Sequence, residues 1–253
     1  MNVLVLLGVI LFILMSIIGG QKGVSSFLAL FFNFSVVIII TIFMTNPNIN
    51  PIILTLFACL VISCINLFYI NGVNIKTKTA FLSTMITIIL LLLFILYLSN
   101  KAMIQGFGVE ELVELSMFSF NIGVDFIKIG ASVIIMSTIG AITDTAMAIS
   151  SPMHEIHYHN PSISRKELYK AGLSIGKDIL GTSTNTLFFA FFGGYLALLI
   201  WFKDLSYTLG EIVNSKIFGA EMITILSAGT GVTLVIPITA WITAYFLVKD
   251  KTS

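Results

Sequence analysis

Charge is what this chain has least of. Among 253 residues there are 13 Lys and Arg and 12 Asp and Glu, so charged side chains make up only 10%. A soluble domain of this length could not keep its surface in water with so few, and a water-soluble globule is excluded. The net charge of +1 gives no footprint for nucleic acid. The two cysteines, Cys59 and Cys64, stand five apart in one apolar run, off a common helical face. That spacing indicates neither a disulfide framework nor a cysteine metal site, and small apolar filler is the expected role. Also missing is the period-two alternation of a membrane barrel. The first 18 residues carry no basic leader and reach Ile17-Ile18-Gly19-Gly20-Gln21-Lys22 without a small-x-small cleavage site. They are therefore expected to be a retained helix and not a secretory signal.

What is present is apolar. Such residues make up 57% of the chain, and the mean hydropathy is +1.05. A hydrocarbon core about 30 Å thick takes about 20 apolar residues per helix. Seven runs of that kind are expected to span, at 2–19, 24–45, 51–71, 79–99, 121–149, 178–202 and 221–248. Only helices satisfy the backbone of such runs in lipid, so the expected fold is an all-α integral membrane protein in one polytopic domain, with the bilayer as its first partner. Under this division one set of loops holds nine Lys and Arg: Lys22, Lys76, Lys78, Arg165, Lys166, Lys170, Lys177, Lys249 and Lys251. The other set holds Lys101, Lys203 and Lys216. The excess marks the cytoplasmic side, placing the N-terminus outside and the C-terminus in the cytoplasm.

Three connections are longer. On the outer side, 107–118 carries an apolar stripe of Val109, Leu112, Val113 and Met117 opposite three glutamates, and 204–220 has a similar pattern. Both read as interfacial segments, edges of a vestibule, or docking surfaces. On the inner side, Ser164-Arg165-Lys166-Glu167 is a capping box, with Ile163 and Leu168 placed as a staple, so a helix starts at Arg165. An elbow helix over about 164–176 is expected before the sixth span. Just before it, His154, His157 and His159 crowd within six residues. The position four after His154 is Tyr158, so the zinc-protease pattern fails, and a solvated or headgroup-facing loop without a metal is the expectation.

Two features carry chemistry. Asp125 and Lys128, three apart near the outer end of the fifth run, read as an ion pair. Asp144 lies deep in the same run, where an unpaired carboxylate facing lipid costs roughly 2.5 to 3.5 kcal/mol. It is expected to face a bundle interior. Gly140 and Ala148 share its face, a small-x-x-x-small pattern at which membrane helices approach closely. Counting about eight residues inward from Pro152 and from Lys177 puts Asp144 and Asn185 at similar depth, roughly 12 Å from the boundary, where they can meet. Thr145, Thr182 and Thr186 surround them, with Thr143, Ser183 and Thr184. The cluster reads either as a polar clamp between two helices or as a proton or cation site. No Ser-Lys pair, Asp-Asp pair or His-Glu-x-x-His motif lies within a span, so no enzyme activity and no cofactor are expected.

These residues resemble a known family. Gly140 to Ser151, Glu155, Asn160-Pro161, Ser164 to Leu168, Gly176 to Thr186 and Gly193-Gly194 are similar to the signature of the YibE/F-like membrane proteins. So are Gly19 to Gly23, Asn71 to Ala80, Ser227 to Gly231 and Pro237 to Ala240. Thr145 stands where the family commonly has Val, and the three histidines lie outside the signature. The resemblance is to the shorter, YibF-type members. It implies a multi-pass protein of the bacterial plasma (inner) membrane, often encoded beside a longer YibE-type partner, with no established activity; a homo- or hetero-oligomer is left open by the sequence. The order Asp-Thr, capped inner helix, Asn-Thr, then Gly-Thr and Pro is also remotely similar to the membrane core of the resistance-nodulation-division superfamily, including SecF, which implies a proton- or ion-coupled permease component. The competing expectation is an accessory or assembly scaffold.

Overall fold

The computed structural model describes residues 2–102, 106, 123 and 125–248. Every regular element among them is a helix: α1 (Val3–Met44), α2 (Pro51–Cys64), a π-helical turn (Ile65–Tyr69), α3 (Ile75–Ala102), α4 (Phe126–His159), α5 (Arg165–Gly194), α6 (Leu196–Asp204), α7 (Leu209–Asn214) and α8 (Lys216–Leu247). Five are long and apolar enough to cross a membrane, or six if α5 and α6, bent by 49° at their junction, count as one broken span. The expected outer segment at 107–118 lies outside the described residues.

Local chemistry explains most of the boundaries. Asn50 accepts from the Ile52 amide and Pro51 takes the first helical position, where a missing N–H costs nothing, so α2 starts there. Ser164 and Glu167 form the expected capping box at the start of α5. A second box, Thr208 with Glu211, starts α7.

α1 is not a rod. Gly20 has φ of 55°, a conformation open to glycine but costly for other residues, and the chain reverses there. Phe12 and Phe27, which a straight helix would hold about 22 Å apart, have ring centroids 5.0 Å apart. Gly23 sits so tightly on the Met15 carbonyl that a Cβ would collide with it. The element is thus a helical hairpin with arms 3–19 and 21–44, and its first arm is exposed along its length.

α3, α4 and α8 form the centre, with α2 against α4 and α5 against α8 and α4. One apolar cluster joins α2, α3, α4 and α8 through residues such as Ile62, Leu91, Ile142 and Val235. Another, Ile149, Met153, Leu168, Ile236 and Ala240, ties α4, α5 and α8 at the Pro161 end. In lipid this contact is worth its dispersion and shape fit, since hydrocarbon already shields apolar groups on both sides.

Three expectations change. The histidine stretch is the end of α4, which runs through Pro152 to His159. The elbow at 164–176 is continuous with the sixth run in one helix, α5, and the break comes later, at Tyr195. The stretch 204–220 is divided: Ser206 turns with φ of 57°, α7 occupies six residues, and α8 already begins at Lys216.

Candidate functional site

A cavity of about 490 Å³ separates the middles of α4 and α5. α4 supplies Gly140, Ala141, Asp144, Thr145 and Ala148, and α5 supplies Ile179, Thr182, Ser183, Thr186 and Leu187. Helical spacing accounts for both walls, since residues three and four apart share a face. Gly140, Asp144 and Ala148, spaced four apart, do lie on one face, as that spacing requires. That face does not mediate close approach, however: a Cβ on Gly140 would meet nothing within 4 Å. The close approaches of α5 are at Gly172, against Met153 and Ala240, and at Gly176, against Ile236. The helices are pinned at the Pro161 end and part toward the middle, and the parting is the cavity.

Asp144 is exposed on this wall and makes no hydrogen bond or ion pair with any described residue. Thr182 donates to the Ile179 carbonyl at 2.9 Å and Thr186 to the Thr182 carbonyl at 2.8 Å. With their protons committed to their own helix, both hydroxyls offer acceptor lone pairs to the cavity. Thr145 lines it while almost wholly buried, whereas Thr143 turns away and donates to the Ile139 carbonyl at 2.8 Å. Asn185 is exposed and is not part of the lining. The expected meeting of Asp144 with Asn185 within one chain is therefore absent, because Asn185 lies about 100° around the helix from Thr186. The wall has one carboxylate, several hydroxyl oxygens and four aliphatic side chains, Ala141, Ala148, Ile179 and Leu187, and its oxygens suit a proton, a cation or water.

The Asp125–Lys128 pair is present at 3.1 Å, with both side chains nearly half exposed. Asp125 also caps α4 by accepting from the amides of Ile127 and Lys128. The pair borders a separate polar cavity of about 200 Å³ with Asn46, Asn48 and Asn50. His154, His157 and His159 sit on the last turns of α4. No group of three or more metal-ligating His, Cys, Asp or Glu side chains occurs among the described residues.

Other polar contacts have only weak sequence signals. Glu221 of α8 accepts from the Tyr195 hydroxyl at 2.6 Å, across the α5–α6 break. Asn33 of α1 donates to Asn66 of the π-helical turn at 2.7 Å. Deep in the bundle the hydroxyls of Thr84, Ser227, Thr239 and Thr243 are buried without a hydrogen-bond partner. The serines and threonines recurring through α3 and α8 were the available hint, but nothing in their spacing separates these from Thr87, whose hydroxyl donates to the Ser83 carbonyl.

Comparison with known proteins adds one finding. The model of the YibE/F-like protein family matches residues 7–249, nearly the whole chain. No curated protein and no solved structure matches.

Proposed function

Starting from a chain that belongs to the YibE/F-like family, we propose that it is a proton- or ion-coupled component of a membrane permease, with the α4–α5 cavity as the ion site. The observation that carries this is Asp144: a carboxylate inside a candidate span, on the wall of a cavity, without a partner among the described residues. A polar clamp would bond the two helices to each other, whereas Thr182 and Thr186 bond only within α5. Intramembrane ionisable residues that are not paired structurally are the ones that move ions or protons. Asp144 is the group that would gain and lose the proton, and Thr145, Thr182 and Thr186 would supply oxygens to the water or cation beside it. No catalytic role is part of this reading.

The topology we propose has seven spans. The reversal at Gly20 supports counting α1 twice, and the bent α5–α6 pair counts once. The connections at Gly20, at Gly72, between α4 and α5, and after α8 then share one side with nine of the cations. By the positive-inside effect that side is the cytoplasm of a bacterium, and the N-terminus lies outside the plasma membrane. A YibE-type companion completes the proposed permease.

The test is proton uptake into liposomes under an imposed pH gradient, with and without that companion. Wild-type uptake is expected, and Asp144→Asn is expected to abolish it while the protein still inserts and folds. Equal uptake by wild type and variant would sink the coupling role. Lack of uptake in every preparation, with loss of abundance or partner binding in the variant, would place the protein among accessory scaffolds.

A further inference from the structure

Two polar side chains within candidate spans, one on each of two neighbouring helices, are exposed. Asp144 opens from α4 and Asn185 from α5, and neither has a hydrogen-bond partner among the described residues. Hydrocarbon offers such groups nothing, so a face carrying both is incomplete in a single copy. We propose that a second copy of this chain packs against the α4–α5 face about a two-fold axis along the membrane normal. Asn185 of each copy then donates its side-chain amide to Asp144 of the other, closing both cavities. This rests on the ion-site reading of Asp144 only for what the closed cavity does; the pairing itself does not depend on it.

Depth allows the pairing. α8 serves as a ruler for both helices: Ile142 of α4 packs on Gly231, while Gly176 and Thr184 of α5 pack on Ile236 and Gly229. On that scale Asp144 lies level with roughly residue 180 of α5, and Asn185 stands roughly 7 Å further toward the Pro47 end. Cα–Cβ bonds tilt toward the N-terminus of a helix, and α4 and α5 run in opposite directions, so the two side chains lean toward each other in depth. A two-fold axis along the normal leaves the depth of every atom unchanged, so what is within reach in one copy stays within reach in the next.

The chemistry favours this occupant. The amide of Asn185 is a donor and the carboxylate of Asp144 an acceptor, and the two-fold makes the match reciprocal. Asp144 never has to face its own image. Nearer the Pro161 end, Lys177 and Asp178 are adjacent and opposite in charge, so they add no net repulsion. Along α5 the exposed row Thr182, Thr186, Ala190 and Gly194 is small enough for another helix to come close.

The experiment leaves Asp144 and Asn185 in place and uses their neighbours one turn toward the Pro161 end. With Cys59 and Cys64 replaced by Ala, Ala148→Cys is put in one tagged copy and Gly181→Cys in a differently tagged copy, and both are expressed in the same membranes. Oxidation is expected to join the two tags, whereas pairing Gly181→Cys with Val133→Cys, an exposed position beyond the face, gives none. In liposomes, energy transfer between labelled copies should fall on dilution with lipid. Asn185→Ala should weaken association about threefold per lost bond, or about eightfold for the two bonds, and Asp144→Asn should weaken it less than Asp144→Ala. No adduct between tags, or an adduct only with a different protein, would overturn the proposal. Because these readouts involve no transport, wild-type dimers that carry no Asp144-dependent flux would count against the ion site alone.

Discussion

Gly176 and Gly140 belong to facing helices, yet one is sealed and the other open. A Cβ at Gly176 would drive into Ile236, and one at Gly172 into Met153 and Ala240, whereas Gly140 and Gly181 have nothing within 4 Å. The same residue type thus closes a helix contact at the Pro161 end and floors a cavity a few turns away. The difference lies in what stands opposite. Bulky Ile236 and Met153 fill the space that the first pair leaves, while the α5 hydroxyls face Gly140 and Asp144 across a gap that no side chain fills.

The largest effect expected from this contrast is at the sealed contact. Gly176→Ala should destabilise the bundle by about 1–3 kcal/mol through overpacking, read as a lower unfolding temperature in detergent. Gly140→Ala should do the reverse, adding roughly 0.5–1 kcal/mol because alanine costs a helix less backbone entropy and meets nothing. A loss at Gly140 as large as that at Gly176 would mean that α4 and α5 are closed along their whole length. A finer comparison is between buried hydroxyls. Thr239→Val removes an unpartnered group and should be neutral or stabilising by up to about 1 kcal/mol. Thr87→Val breaks a 2.8 Å bond to the Ser83 carbonyl and should cost about 0.5–1.5 kcal/mol. Equal losses in both would show that Thr239 is satisfied by ordered water.

The smallest effect lies outside the bundle. In α7, hydrogen bonds from the backbone and side chain of Thr208 hold the Glu211 carboxyl below its ordinary pKa. A depressed folded value means that the stabilisation is present above the ordinary carboxylate pKa, about 4.3, and is lost as pH falls through the folded value. Amide exchange in α7 should therefore accelerate below about pH 4. In Glu211→Gln that pH dependence should vanish, and its persistence would assign it to another group.

Much of this was legible before any coordinates. Ser164 and Glu167 announced their helix because a capping box is local, and Asp144 stood out because a carboxylate in a long apolar run has few harmless explanations. Asp125 and Lys128 pair as their spacing required, since an i,i+3 contact needs only a helix. The continuity of α5 through the expected elbow was not legible, because a charged first turn and an apolar remainder look alike whether or not the axis bends between them. Nor was the end of α4, which continues past the expected run through Pro152 to His159. The second capping box at Thr208 was readable but masked by the apolar spacing of Leu205, Leu209 and Ile212.

By itself the sequence determined that this chain is helical and built for lipid, that its family is the YibE/F-like one, and that Asp144 is the polar group to explain. The family follows from the resemblance of its motifs; the rest follows from composition, run length and residue spacing, which act along the chain. The tertiary structure alone decided that Gly20 folds α1 into a hairpin, that α5 leans on α8 through Gly172 and Gly176, and that Asp144 and Asn185 of one chain look outward without meeting. Those depend on which side chain stands opposite which, and helical spacing fixes a residue's angle on its own axis without fixing its neighbour across the gap.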